Sequence, residues 1–112
     1  MTHDINIHHE DNHESASSYL VEEIRNLLVN SNRDFSIGLS GGNTPKLTYS
    51  MMAEKFDDLS KTFLWTIDDR WIEEDNDLSN QRMINEYFER TEANILKFEF
   101  TSSSPESDAK KY

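Results

Sequence analysis

Two short clusters hold most of the residues able to do chemistry. The first is Ser40-Gly41-Gly42-Asn43-Thr44, followed by Pro45; the second is Asp68-Asp69-Arg70-Trp71, with Ser79, Asn80 and Arg82 shortly after. In the first, the glycines let the backbone approach a ligand. The amides of residues 42–44, with the Ser40 and Thr44 hydroxyls, then suit a phosphate cradle. In the second, Asp68 suits general-base work or the holding of a sugar hydroxyl. Arg70 can clamp a phosphate or carboxylate in bidentate fashion, Ser79 and Asn80 bring polar groups, and Arg82 offers a second cation. Lys46 is a weaker candidate, because exposed lysines are common.

Each of these residues also has a plainer reading. Ser-Gly-Gly alone can be a tight turn, and Asp68 can cap the turn that follows it. Arg70 can pair with Asp69, Glu73 or Glu74, and Trp71 can be core. The glycine turn is not a Walker loop, since no Gly-Lys-Ser/Thr follows, and it lacks the third glycine of a dinucleotide fingerprint. The chain has no cysteine, hence no thiolate nucleophile or metal ligand and no disulfide framework. His3, His8, His9 and His13 crowd the front of the chain at spacings that match no closed metal site. None has a predictable path to Ser40, so no Ser/His/Asp set emerges. The expectation is no metal and no cofactor, with binding of a phosphorylated ligand argued more firmly than a reaction.

These clusters need elements to position them. Ala16, Tyr19, Leu20, Ile24, Leu27 and Leu28 recur at helical spacing and predict a helix over 15–30. Phe35–Leu39 is nearly all apolar, as in a strand covered on both faces. Pro45 predicts the first position of a helix running to about Phe56, with Asn43 or Thr44 as its cap. Thr62–Ile67 reads as a second strand, and Ser79 or Asn80 starts a helix carrying Met83, Ile84, Tyr87 and Phe88. Leu96–Phe100 is read as another strand, residues 4–9 as a short first strand, and residues 101–112 as a polar tail or loop. Alternating helices and strands imply crossover connections and a parallel sheet, whose ligands bind beyond the carboxyl ends of the strands. Both clusters leave such ends.

Composition narrows the partners. With 112 residues and 35% apolar content, the chain forms one domain at most. A formal net charge of −11 disfavours nucleic acid and anionic membrane surfaces. It does not forbid a small anion, because local N–H groups and one or two cations can outweigh the global field. No run approaches the roughly 18 apolar residues of a membrane helix, and no targeting segment is visible.

Three motifs in order, Leu39-Ser-Gly-Gly-Asn-Thr-Pro45, Ile67-Asp-Asp-Arg-Trp-Ile72 and Leu78-Ser-Asn-Gln-Arg-Met83, resemble the 6-phosphogluconolactonases. The related glucosamine-6-phosphate isomerase/deaminase group shares similar loops, but Arg70-Trp71 favours the lactonase branch. The likeness is read over roughly residues 15–100 and as the N-terminal half only. It implies a three-layer α/β/α Rossmann-like fold with a mostly parallel sheet, here an incomplete first half of the family domain.

The resemblance further implies hydrolysis of 6-phospho-D-glucono-1,5-lactone to 6-phosphogluconate in the pentose phosphate pathway, in the cytoplasm. It places Gly41, Gly42, Asn43 and Thr44 against the phosphorylated substrate, and Asp68 and Arg70 in the family's Asp-Glu-Arg-Trp motif, with Asp69 in place of its glutamate. The Gly-x-Asp-Gly-His motif that carries the family's general base is absent. The 112 residues alone are therefore expected to be inactive, with a missing C-terminal half or a partner chain completing the site. Rival readings are a non-catalytic sugar-phosphate-binding module or partner subunit, and an isomerase/deaminase relative.

Overall fold

The structure, a computed structural model, describes residues 4–112. His3 lies outside the described residues. Helix α1 (His13–Val29) leads into strand β1 (Phe35–Leu39), α2 (Lys46–Lys55), β2 (Thr62–Thr66), α3 (Asn80–Phe88), β3 (Asn94–Leu96) and α4 (Pro105–Lys111). The strands form one parallel sheet in the order β1-β2-β3, with Ile37 beside Leu64 and Leu64 beside Ile95. Adjacent parallel strands joined by right-handed crossovers place α2 and α3 on the same face. On that face Leu39 and Leu64 meet Val21 of α1, Tyr49 and Met52 of α2, and Ile84 and Phe88 of α3 in one buried cluster. On the opposite face the Trp65 indole donates to Ser36 Oγ at 2.8 Å. A Cβ on Gly38 would lie 2.8 Å from that ring, so the close approach there is of an aromatic side chain. No helix among the described residues is long and apolar enough to cross a membrane.

Four expectations change. Residues 4–9 form no strand; Ile5 and Ile7 stay exposed, so their alternation buries nothing. Helix α2 starts one residue late, with Pro45 at the cap position and no side-chain cap, which leaves the Asn43 and Thr44 side chains out of that role. Strand β3 lies at Asn94–Leu96 rather than over 96–100. Its early end has a local cause. The Tyr112 hydroxyl accepts from the Thr66 amide at 2.7 Å and lies 3.4 Å from the Leu96 carbonyl oxygen, a wedge between the two strands. The Phe98 amide turns away to Gln81 Oε1 at 3.2 Å.

The tail is the fourth correction. Ser104 caps α4, accepting from the Ser107 amide, and Pro105 opens it. The buried Asp108 carboxylate accepts from the Thr101 amide (2.9 Å), the Thr101 hydroxyl (2.5 Å) and the Trp71 indole (3.0 Å). These donors, the Thr101 amide foremost, hold Asp108 below the usual carboxylate range. Residues 101–112 thus add a packed helix to the α/β arrangement in place of the expected polar tail or loop.

Candidate functional site

The glycine turn leaves β1 at Leu39 and is held at both sides. The Ile67 amide donates to Leu39 O at 3.0 Å, prolonging the pairing of β1 and β2. The Tyr49 hydroxyl donates to Ser40 O at 2.7 Å, and burial pushes this phenol above its ordinary value, so it stays protonated. Gly42 takes φ +87°, the left-handed region where glycine carries no steric cost. Gly41 is needed for a different reason. A Cβ there would overlap the Asn80 carboxamide.

Asn80 is the junction of the two clusters. It is 7% exposed, and its Nδ2 donates to Asp68 O at 3.0 Å. The first turn of α3 is capped twice. Ser79 Oγ accepts from the Arg82 amide at 3.1 Å. Asp69 spreads its two oxygens over the next donors, Oδ1 taking the Asn80 amide at 2.8 Å and Oδ2 the Gln81 amide at 3.0 Å. The same Oδ1 accepts from the Arg70 amide at 2.8 Å. A carboxylate on helix N-terminal amides makes charge-assisted bonds and meets the positive end of the helix dipole. The aspartate that caps is therefore Asp69, while the Asp68 carboxylate is exposed.

A groove of about 410 Å³ opens where these loops meet. Gly42, Asn43, Arg70, Ser79, Asn80 and Arg82 all line it, and Lys46 joins them. The Arg70 guanidinium donates to Leu78 O at 2.7 Å and makes no ion pair among the described residues. Arg82 is more committed. Its guanidinium bonds Asp77 and, through Nε, Glu86 at 3.0 Å; Glu86 first, then Asp77, raises its pKa, so it stays charged. Asp77 and Glu86 line the groove too and offset Arg82, which leaves Arg70, Lys46 and the glycine backbone to receive a small anion, in a chain that repels anions elsewhere.

Ser40 and Thr44 do not line this groove. They border an apolar hollow of about 380 Å³ along α1, which His13 also lines. Ser40 and a histidine thus border one hollow, a placement that spacing along the chain does not reveal. Asp68 lines a third hollow, of about 320 Å³, with Thr66, Trp71, Tyr112 and Arg70. Arg70 thus borders both the cationic groove and the Asp68 hollow. A depression of about 1030 Å³ is lined by Glu73, Glu74, Asp75, Glu86, Glu89 and Glu99 among others, a wall that disfavours an anion. His8 is remote from this chemistry, stacked on Tyr19 at 3.5 Å and bonded to Glu10. No cluster of metal-ligating side chains occurs among the described residues.

Sequence reasoning missed Asp69. The signal was available, since an aspartate is a preferred helix cap, but its helix begins eleven residues later and only the fold brings them together.

The family described as glucosamine-6-phosphate isomerases/6-phosphogluconolactonase matches residues 8–112. A 6-phosphogluconolactonase of Synechocystis sp. is 36% identical over 81 residues, covering 69% of this chain and 34% of that protein. The crystal structure of a 6-phosphogluconolactonase from Shewanella baltica superposes with a TM-score of 0.81 at 25% identity, covering 91% of this chain and 46% of that one. For the 6-phosphogluconolactonase from Thermotoga maritima the TM-score is 0.73 at 32% identity, covering 86% and 47%. The chain thus spans a third to about half the length of these relatives. Two expectations are corrected. The likeness is not confined to residues 15–100 or to an N-terminal half of the match, because it takes in the front segment from residue 8 and the tail through Tyr112. The expectation of an incomplete first half is replaced by a parallel α/β arrangement that spans nearly the whole chain, 91% of which superposes on the Shewanella baltica structure.

Proposed function

As the chain belongs to the glucosamine-6-phosphate isomerase/6-phosphogluconolactonase family, we propose that its substrate is 6-phospho-D-glucono-1,5-lactone and its reaction the hydrolysis of that lactone to 6-phosphogluconate. The observation that carries this reading is the groove in which Gly42 and Asn43 face Arg70, Arg82 and Lys46. The phosphate sits in that groove. The lactone ring extends past Arg70 toward Asp68, whose carboxylate orients a ring hydroxyl or the attacking water. Ser79 and Asn80 line the phosphate end, and Gly41 lets Asn80 close against the turn. Ser40 and Thr44, on the apolar side, hold the turn rather than the ligand. A sugar phosphate of central metabolism places the protein in the cytoplasm.

One observation favours a second reading, a sugar-phosphate-binding module without turnover: no histidine among the described residues lines the groove. Loss of the lactone, followed against its spontaneous hydrolysis, separates the two. The lactonase reading expects a rate above background, which would overturn the expectation that the 112 residues alone are inactive, and a higher KM in Arg70→Ala. Binding of 6-phosphogluconate with no gain in rate supports the module. Equal binding of gluconate and 6-phosphogluconate overturns both.

A further inference from the structure

Resting on that reading of the groove, we propose that Asp69 is its positioning residue, the side chain that holds the Asp68–Arg70 loop and the glycine turn in one binding geometry. Its carboxylate makes three contacts at once. The Asn80 and Gln81 amides bind separate oxygens at 2.8 and 3.0 Å, and the Arg70 amide returns to Oδ1 at 2.8 Å. The first two fasten the loop after β2 to the start of α3. The third fixes the backbone from which the Arg70 side chain leaves.

The consequence passes through Asn80. With its backbone pinned by Asp69, its carboxamide donates to Asp68 O at 3.0 Å and lies against the bare Cα of Gly41. Turn, loop and helix are thereby locked by a single charged group that borders the Asp68 hollow but does not line the groove. Two amides at the α3 N-terminus are also spent on this carboxylate. An anion in the groove is therefore held by Arg70, Lys46 and the turn backbone, and not by the helix end, while Arg82 is already paired with Asp77 and Glu86.

Asp69→Asn is nearly isosteric, but it turns one acceptor into a donor facing an amide N–H. Asp69→Ser keeps one capping oxygen and reaches only one of the two amides; it serves if the asparagine variant does not fold. Ile84→Val, in the buried core of the same helix, supplies a comparable loss of melting temperature without touching the clamp. Each protein is titrated with inorganic phosphate while the Gly42 and Asn43 amide shifts and the Gly41–Asn80 side-chain NOE are followed. Weakening of phosphate binding by about tenfold in the Asp69 variant, the size expected from losing a charge-assisted bond, with loss of that NOE and near-native affinity in Ile84→Val, supports the inference. An Asp69 variant that weakens binding no more than Ile84→Val overturns it. If the unaltered chain shows no phosphate shifts, the groove reading itself fails and the positioning role falls with it.

Discussion

Gly41→Ala tests the junction of the site through a contact that can be sized. The new Cβ would occupy the volume of the Asn80 carboxamide, its Nδ2 lying 2.7 Å away. Asn80 is 7% exposed and cannot swing into solvent without giving up the 3.0 Å bond to Asp68 O. Overpacking at a tight site costs about 1–3 kcal/mol, and the lost hydrogen bond adds about 0.5–1.5 kcal/mol. Against this, alanine restricts the unfolded chain and returns about 0.4–1 kcal/mol. Gly41 has no positive φ, so no backbone strain enters. The net loss is about 0.5–4 kcal/mol.

Urea unfolding followed by tryptophan fluorescence measures it, in a cycle with Asn80→Ala. Removing the carboxamide empties the space that the new methyl needs. The double variant should therefore be no less stable than Asn80→Ala alone. If Gly41→Ala unfolds at the same urea concentration as the parent, the contact is not tight. If the two changes add within about 0.5 kcal/mol, as independent sites do, Asn80 is not the partner and the junction is misassigned.

Gly42→Ala should behave differently: nothing lies near its Cβ, but φ +87° costs alanine about 1 kcal/mol, and urea unfolding should show no coupling to Asn80→Ala. Tyr112→Phe removes the oxygen that accepts the Thr66 amide, so that amide should exchange faster and stability should fall by about 1–3 kcal/mol, the cost of an unsatisfied buried donor. The folded-state pKa of Asp108 lies below its unfolded value. Its contribution is thus fully present well above the ordinary aspartate value of about 3.9 and is lost as pH falls from there through the folded value. Urea midpoints compared at neutral pH and at about pH 3 should drop more for the parent than for Asp108→Asn, whose midpoint is already lower at neutral pH; equal drops would remove Asp108 from the acid response.

Where periodicity was strong, the sequence was enough. The apolar run Phe35–Leu39 and the spacing of Met83, Ile84, Tyr87 and Phe88 produced β1 and α3. The lactonase-like loops drew attention to Arg70, Ser79, Asn80 and Arg82, which the fold gathers around one groove. Elsewhere local composition misled. Ser102-Ser103-Ser104-Pro105 looked like a loop, although serine followed by proline is also a helix start, and Ser104 caps α4. Leu96–Phe100 reads as a strand in the sequence, but pairing ends at Leu96. Its pairing partner, the Thr66 amide, had gone to Tyr112, a contact between residues 46 apart in sequence that no local pattern encodes. Asp69 was hidden for the same reason, since its role depends on a helix start supplied by another part of the chain.

In the proposed function the groove between the glycine turn and α3 holds the phosphate of the substrate. Amide chemical shifts recorded while the protein is titrated with inorganic phosphate and then with 6-phosphogluconate test it most directly. Saturable shifts are expected at Gly42, Asn43 and Arg70 with both ligands, tighter for 6-phosphogluconate, spreading to Asp68 only with the sugar and abolished in Arg70→Ala. Shifts that are absent, or that gather along α1 beside Ser40 and Thr44 and survive in Arg70→Ala, would contradict it.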